Sequence, residues 1–304
     1  MKNTSQITKA MEVVSATKMR KSQQSALAAR PYAMASLEIL QNLLLRTPSR
    51  LLPPLLTPRE VRRALIVVIT SDKGLAGAFN ANVLNKAEQR IAMMQKHDMP
   101  YLLVTVGKKA KDHFERRGGE IMKSFFGYGD YTRLEDTLAV ANLMIGGFLD
   151  GSWGEAEAVY TNFRTTLVQE TRIVRVLPAS RESIEDAIRG ILPERGKYAT
   201  NYRGETSKAA IEVSPLYKYE YMFEPSPQEI LAALVPNLIR VHIHQIIIES
   251  NASEHSARMV AMKNASDNAK ELMKGLSLEY NKARQTSITR ELIEVTAGAE
   301  AMHT

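Results

Sequence analysis

The C-terminal quarter of the sequence constrains the fold more than any other part. Residues 237–304 contain no proline, and their first glycine is Gly275. From Leu231 onward, apolar side chains recur at alternating steps of three and four, which is the heptad pattern of a coiled coil. A helix of about 75 residues would be about 110 Å long, so it must project beyond a compact domain and needs a second helix along its seam. The sixteen seam positions are Leu231, Leu234, Leu238, Val241, Gln245, Ile248, Ala252, His255, Met259, Met262, Ser266, Ala269, Met273, Leu276, Tyr280 and Ala283, and all but Gln245, His255 and Ser266 are apolar or aromatic.

The N-terminal region is the predicted partner of that helix. Up to about residue 45 it lacks glycine, and its only proline, Pro31, would bend or interrupt a helix. Ile7, Met11 and Val14 recur at helical spacing and predict an apolar face. We expect the terminal helices to pair antiparallel, with both ends of the chain at the far tip of the shaft. Small residues would let the helices approach closely at three seam positions: Ala252, Ser266 and Ala269.

Strand and helix patterns alternate between the terminal regions. Short β-branched runs predict strands at 64–70, 101–106, 157–163 and 172–178, with a weaker one at 119–126. Helical stretches are expected at 79–97, 108–117 and 132–149. Strands separated by helices favour a mainly parallel sheet with helices on its faces. The predicted fold class is therefore α/β: a long antiparallel coiled coil of the terminal helices plus a Rossmann-like, mainly parallel α/β domain.

Prolines and a change in composition set the expected domain boundaries. The segment TPSRLLPPLLTP has four prolines and predicts a linker, and KYEYMF at 218–223 predicts a last strand. The resulting division is an N-terminal shaft helix and linker at 1–58, an α/β domain at 59–224 with a polar insert at about 179–215, and a C-terminal shaft helix at 225–304.

The positive charge of the chain is concentrated at its N-terminal end. The net charge is +7, but residues 1–63 carry +8 and the rest of the chain carries −1. This bias favours an acidic partner for the first segment, whether nucleic acid, anionic lipid or an acidic protein. The basic cluster KMRK, which begins at Lys18, is either a solvated helix face or a protein contact.

The sequence shows no catalytic constellation. The absence of cysteine excludes disulfides, thiolate nucleophiles and cysteine-bound zinc, and no HExxH motif or run of eighteen apolar residues occurs. TSDKGLAGAFN at 70–80 lies between a predicted strand and helix, where phosphate loops occur, but it lacks the Walker and dinucleotide spacings. We interpret it as a tight turn that exposes Asp72 and Lys73. We expect no catalytic residue, cofactor or metal.

Three segments together resemble a known family. KNTSQITKAMEVVSATKMRKSQ (2–23) and SARMVAMKNASDNAKELMKGLSLEYNKARQTSITRELIEVTAGAEA (256–301) resemble the terminal signatures of the gamma subunit of F-type ATP synthase. TSDKGLAGAFN is similar to the loop after that family's first strand, and NKARQTSIT (281–289) is the most specific segment. The family fold, a coiled coil with an α/β domain at its base, agrees with the periodicity.

The resemblance implies a mechanical role and a set of partners. A gamma subunit is the rotor shaft inside a hexamer of alpha and beta subunits, and its foot lies on the c-subunit ring beside epsilon. It would couple proton flow to ATP synthesis or hydrolysis without a catalytic residue of its own. The implied location is peripheral, at the cytoplasmic face of the bacterial plasma membrane, and no nucleic acid is involved.

The resemblance also assigns individual contacts. It assigns Arg284 and Gln285 to the beta-subunit catch loop, and Lys73 to beta's acidic lever. Tyr219 and Glu224 would contact the ring, and Met11 would face Arg258, Gln285 and Glu291. The implied coupling and shaft contacts are Met11, Lys18, Arg258, Arg284, Gln285, Thr289 and Glu291.

Two other functions remain open from the residues alone. A coiled-coil scaffold could bind nucleic acid through residues 1–63, which would show as a steep salt dependence. A nucleotide-handling enzyme could use the α/β domain, which would show as nucleotide affinity of the isolated chain. Family members carry a further basic helical stretch before the KNT motif, which favours a start upstream of Met1.

Overall fold

Two long terminal helices run antiparallel beside a five-stranded sheet. The structure, a computed structural model, describes residues 2–28, 39–40, 42–44, 47–129, 131–179 and 224–301. The first and last helices are α1 (Lys2–Ala28) and α5 (Pro227–Ala301). Between them lie β1 (Ala64–Ile69), α2 (Phe79–Lys96), β2 (Tyr101–Val106), α3 (Lys108–Arg116), β3 (Ile121–Phe125), α4 (Leu134–Leu149), β4 (Glu155–Phe163) and β5 (Gln169–Leu177), preceded by short 3-10 turns at Ser49–Leu51 and Pro54–Leu56.

The sheet confirms the predicted mainly parallel topology. Its strand order is β3-β2-β1-β4-β5. The first four strands are parallel, with Ala64 of β1 opposite Tyr101 of β2 and Glu155 of β4. β5 returns antiparallel to β4 as a hairpin. All six residues of the central strand β1 are buried, as expected for a parallel strand that is covered on both faces.

Helices cover both faces of the sheet and form two apolar cores. On one face, α2 and α3 pack with Ile66, Val68 and Leu103. On the other face, α4 and the first part of α5 pack with Leu65, Val67 and others around the fully buried Phe148. The long C-terminal helix is therefore a core element of the α/β domain before it becomes a shaft.

The Ser226 side chain caps the N-terminus of α5. The Ser226 hydroxyl accepts the Glu229 N–H at 3.3 Å and donates to the Glu229 carboxylate at 2.9 Å. Pro227 occupies the first turn, where its missing N–H costs nothing. One 18-residue window of this helix is apolar enough to span a membrane, with mean hydropathy 1.5, but half of that window is buried in the fold.

Side-chain contacts give the direction in which α5 crosses the domain. Arg240 bonds to Asn142 at 3.0 Å, and Asn251 bonds to Thr132 at 3.2 Å, so α5 runs antiparallel to α4. Ser253 donates to the carbonyl of Thr161 near the end of β4. The helix therefore leaves the domain at the carboxyl edge of the parallel strands, and α1 meets it there.

The antiparallel helix pair is confirmed, but the predicted face of α1 is wrong. Ser5 and Ser15 are buried in the pair, whereas Ile7 and Val14 are 61% and 53% exposed and Met11 is half-buried. Small hydroxyl side chains line the contact because they let the two helices approach closely. The apolar stripe that the spacing predicted faces outward instead.

The heptad seam of α5 is confirmed only up to Ala269. Ala252, Ser266 and Ala269 are buried, as expected of close-approach positions, whereas Leu276 and Tyr280 are more than half exposed. From 270 to 296, every described side chain is exposed except that of Met273. The bend at Pro31, the strand at 218–223 and almost all of the predicted insert lie outside the described residues.

Candidate functional site

A groove lies where the two shaft helices meet the carboxyl edge of the sheet. Its volume is about 580 Å³. One wall is α1, the second is α5, and the floor consists of the loops that follow β1 and β3. The groove is lined by Ala10, Met11, Val14, Ser15, Lys18, Asp72, Lys73, Gly74, Leu75, Gly127, Gly129, Glu254, His255 and Arg258.

Arg258 joins α5 to the loop between β1 and α2, residues 70–78, called the β1 loop below. Its guanidinium lies 2.6 Å from the Glu254 carboxylate, one turn earlier on α5, and both side chains are less than 10% exposed. The same guanidinium donates to the carbonyl oxygens of Lys73 and Gly74 at 3.3–3.4 Å. A buried cation needs both a counter-ion and acceptors for its remaining donors, and this arrangement supplies both.

His255 and Asn251 join the same helix to the segment after β3. His255 Nε2 lies 2.7 Å from the Gly129 carbonyl, and its Nδ1 lies 3.4 Å from Arg258 Nη1. A carbonyl can only accept, so Nε2 carries a proton, and Nδ1 can then accept from the guanidinium. Asn251 donates to the carbonyl of Tyr128. This bonding fits the seam position that the heptad pattern gives to His255.

The β1 loop is held by its own hydrogen bonds to the N-terminus of α3. Asp72 accepts the Lys108 N–H at 2.9 Å, the Ser71 carbonyl accepts that of Lys109 at 3.1 Å, and the Thr70 hydroxyl accepts that of Ala110 at 2.9 Å. Gly107 makes this contact feasible, because a Cβ there would lie 2.1 Å from the Thr70 carbonyl oxygen. The first N–H groups of α3, which could otherwise bind an anion, are thus bonded to oxygen atoms of the β1 loop.

This loop differs in one respect from the exposed turn that the sequence predicted. The Lys73 side chain is exposed, as expected. Asp72 is instead half-buried, and its second carboxylate oxygen accepts the Gly127 N–H at 2.9 Å. Asp72 and Glu254 were both missed as site residues. The Glu-x-x-x-Arg spacing of Glu254 and Arg258 is the signal that could have identified the second.

The structure brings together only part of the predicted contact set. Met11, Lys18, Lys73 and Arg258 all line the groove. The remaining α5 residues of the set lie on its exposed tip, and the 27 residues from Arg258 to Gln285 correspond to about 40 Å of helix. These tip residues are Arg284, Gln285, Thr289 and Glu291.

The expected proximity of Met11 to Gln285 and Glu291 is therefore wrong for this chain. Near the tip, the Thr289 hydroxyl donates to the Gln285 carbonyl, which is a contact within the helix. Glu224 is exposed, three residues before α5 begins, and Tyr219 lies outside the described residues.

A buried polar cluster lies between α5 and the sheet, about two helical turns before the groove. Gln245 donates to the Glu249 carboxylate at 3.1 Å, and Tyr160 of β4 lies beside the same carboxylate. Burial raises the pKa of Glu249 to about 7, although Gln245, Tyr160 and two arginines partly offset it. Burial also raises the pKa of Tyr160. Within the described part of the chain, Asn162 has no hydrogen-bond partner for either side-chain atom.

Among the described residues, no group of three or more acidic or histidine side chains could hold a metal ion. The groove instead has two exposed or half-buried lysines, Lys73 and Lys18, and an apolar strip along its open side. Its fixed elements, Arg258 and the β1 loop, connect the shaft to the domain. This arrangement is suited to transmitting force between two parts of the chain.

The sequence comparisons match this chain to known proteins over almost its whole length. A family model described as ATP synthase matches residues 1–302. The ATP synthase gamma chain of Roseiflexus castenholzii is 39% identical over 303 residues, which cover 99% of this chain and 94% of that protein. The corresponding chain of Gloeothece citriformis is 36% identical over 306 residues, covering 99% and 96%.

Solved structures share the fold at lower identity. A chain from the central stalk and c-ring of the Tetrahymena thermophila mitochondrial ATP synthase aligns with a TM-score of 0.56 at 19% identity, covering 86% of this chain and 99% of that one. A chain of the Euglena gracilis mitochondrial ATP synthase aligns at 0.52 and 18%, covering 97% and 95%. From its length-wide match to the bacterial proteins, the chain belongs to the family of ATP synthase gamma chains, the non-catalytic rotor subunits of the central stalk.

Proposed function

We propose that this chain turns inside a hexamer of alpha and beta subunits and carries torque between that hexamer and a proton-driven c-subunit ring. The observation that carries the proposal is the exposed section of α5 from 270 to 296, about 40 Å long. Large apolar side chains there are exposed in the isolated chain: Leu272, Leu276, Leu278, Tyr280, Ile288, Leu292, Ile293 and Val295. Apolar surface on this scale indicates an enclosing protein partner.

The tip and the groove would make different contacts in such a complex. Arg284 and Gln285 would bond to a catch loop of beta, with Thr289 and Glu291 one turn beyond. Lys73 would face an acidic lever of beta, and its exposed ammonium group beside the groove supports that assignment. Met11, Lys18 and Arg258 would carry the coupling contacts at the base of the shaft.

The opposite end of the domain would be the foot. Tyr219 and Glu224 would contact the ring, with epsilon beside them. The chain would then be a peripheral protein at the cytoplasmic face of the bacterial plasma membrane, attached through the ring. In this proposal, residues 1–58 are the first shaft helix and linker, 59–224 are the α/β domain with its insert, and 225–304 are the second shaft helix.

Co-purification and assembly test the proposal. A tagged chain expressed in its source cells should copurify with alpha, beta, epsilon and c subunits, identified by mass. The pure chain should not hydrolyse ATP, whereas its addition to alpha and beta should give a hydrolysing, rotating complex. ATP turnover by the pure chain, or nucleic acid as its main companion, would overturn the proposal.

The tip assignment has its own variant and matched control. Arg284→Ala with Gln285→Ala should slow hydrolysis by the assembled complex about tenfold, because one lost charge-assisted hydrogen bond costs about 1.5 kcal/mol or more. Lys270→Ala with Glu271→Ala removes two exposed side chains about 20 Å lower on the same helix. This control should hydrolyse ATP at the unmodified rate. Equal rates in the two variants would remove the catch-loop assignment.

A further inference from the structure

The Asp72 side chain connects three loops at the carboxyl edge of the sheet around the groove. It follows β1, and its carboxylate accepts from Lys108 at the start of α3 and from Gly127 after β3, each at 2.9 Å. A carboxylate that accepts two backbone N–H groups has both oxygens fixed, so the loop cannot shift without breaking one of these bonds. No site residue assigned from the family resemblance accounts for this bridge.

The loop that Asp72 fixes is the one on which Arg258 rests. The carbonyl oxygens of Lys73 and Gly74 directly follow Asp72 in the chain and accept from the Arg258 guanidinium. Farther along this loop, a Cβ on Gly77 would lie 3.9 Å from the Ala261 side chain of α5, so the loop runs close to the shaft helix a second time. The shaft therefore contacts the domain here through backbone atoms, whose positions depend on the loop.

We propose that Asp72 is the positioning residue that couples the shaft helix to the α/β domain. It holds the carbonyl oxygens of Lys73 and Gly74 where Arg258 can bind them, so that rotation of α5 and rotation of the domain stay in phase. The inference rests on the proposed rotor function. It adds a residue that acts through the loop and contacts no partner subunit itself.

The variants separate positioning from folding. Asp72→Ala removes both acceptors. Asp72→Asn keeps one acceptor but sets an NH₂ group against a backbone N–H, and Asp72→Glu keeps both carboxylate oxygens. Asp150→Ala is the matched control, because that carboxylate also accepts a backbone N–H, from Ser152 at 2.9 Å, at the opposite edge of the sheet.

The complete ATP synthase in sealed vesicles gives the decisive measurement. ATP hydrolysis, proton transport per ATP and the Tm of each purified chain are recorded together. We expect Asp72→Ala and Asp72→Asn to hydrolyse ATP with a severalfold loss of proton transport per ATP, and Asp72→Glu to recover part of it. Asp150→Ala should keep normal coupling at a comparable fall in Tm. The double variant Asp72→Ala with Arg258→Ala should transport no fewer protons per ATP than the more defective of the two single variants, since both changes break the same connection.

The outcomes distinguish two failures. If the unmodified chain does not support ATP-driven proton transport, the rotor function itself fails. Where the unmodified chain supports proton transport, two outcomes would show that the positioning role is wrong. One is normal proton transport per ATP by both Asp72→Ala and Asp72→Asn, and the other is an equal loss of coupling in Asp150→Ala. If Asp72→Ala does not fold, the protons transported per ATP by Asp72→Asn test the positioning role instead.

Discussion

The hydroxyl oxygens of Ser5 and Ser266 lie 3.4 Å apart, although 261 residues of sequence separate them. This contact sets the register of the two shaft helices. Ser5 lies outside the apolar repeat of α1, and Ser266 is a polar position in the heptad seam of α5. The small size of both residues is what permits the helices to approach. The register also determines which part of α5 is covered and which part is available to a partner.

The register predicts a specific cross-link. The chain has no cysteine, so Ser5→Cys with Ser266→Cys introduces its only two thiols, at a separation that a disulfide can bridge. Mild oxidation should give one intramolecular bond, seen as a faster-migrating band on a non-reducing gel. Because both helices belong to one rotor, the oxidised complex should still hydrolyse ATP.

A second pair of positions checks that cross-link. Leu276 lies ten residues beyond Ser266, which corresponds to about 15 Å along α5. Ser5→Cys with Leu276→Cys should therefore not close under the same conditions. Closure of this pair in preference to the first would mean that the helices pair in another register.

Neighbouring glycines of α4 should respond in opposite directions to the same substitution. A Cβ on Gly147 would lie 2.0 Å from the Trp153 indole, whereas a Cβ on Gly146 would meet nothing within 4 Å. Trp153 is buried and donates to the Met144 carbonyl, so it cannot easily move. Gly147→Ala should lower the free energy of unfolding by about 1–3 kcal/mol. Gly146→Ala should leave it equal or raise it by up to about 1 kcal/mol, because alanine favours helix. Denaturant unfolding of both variants measures the difference, and a shared direction would contradict the packing.

Glu249 should make stability depend on pH between weakly acidic and neutral conditions. Its pKa rises from 4.5 to about 7 in the fold, so the folded chain binds the proton more tightly than the unfolded chain. The stability that this proton provides is complete below pH 4.5 and is lost as the pH rises to about 7. Glu249→Gln keeps a neutral group there at every pH. The variant should lose this part of the slope in a plot of unfolding free energy against pH, and an unchanged slope would place the titration elsewhere.

Met11→Lys should disturb the groove through charge. The new ammonium group would enter a groove whose acidic wall includes Glu254, the counter-ion of Arg258. Competition for this carboxylate would weaken the hold of Arg258 on the β1 loop. We expect the complex to assemble and hydrolyse ATP but to transport fewer protons per ATP.

The Met11→Lys prediction has a second-site test. Combining it with Arg258→Gln should lower proton transport per ATP no further than Arg258→Gln alone, since both changes act on the same contact, and such non-additivity is a sign of sites in contact. Gln6→Lys adds the same charge to an exposed position of α1 outside the groove and should transport normally. Failure of Met11→Lys to assemble, or normal coupling, would leave Met11 as a packing residue only.

The alternating middle region was predictable because its local patterns and its packing agree. Buried parallel strands such as β1 are continuous apolar runs, and the helices between them have clear turns at their ends. The strands at 64–70, 101–106, 157–163 and 172–178 fall within a residue or two of their positions in the fold, apart from β5, which begins three residues earlier than predicted. Even the weaker strand at 119–126 is present as β3.

The helix pair was predictable only in outline. Periodicity indicates that a helix has an apolar face, but it does not say whether this chain or another one covers that face. Ile7 and Val14 keep the spacing of a seam and are nevertheless exposed, while serines form the contact. The same limit explains Leu276 and Tyr280, which continue the heptad beyond the point where α1 covers it.

Only part of the groove could be predicted from the sequence. Arg258 and Lys73 were assigned from motifs, but the bridge made by Asp72 depends on where three loops meet. Its two partners are the backbone N–H groups of Lys108 and Gly127. A backbone N–H is present whatever the residue type, proline excepted, so the sequence does not indicate which ones form this contact. Such a contact can be found only from the folded chain.

The burial of the first part of α5 in the domain core gives one helix three different stabilities. Amide protons near Ile239 and Ile246 should exchange with solvent only when the whole domain unfolds, because these residues belong to its apolar core. Those near Ser266 need only the helix pair to separate, and those beyond Lys270 need only local fraying. A single unbroken element of 75 residues is therefore not a single cooperative unit. Its loosest section is the one that an enclosing partner would have to order.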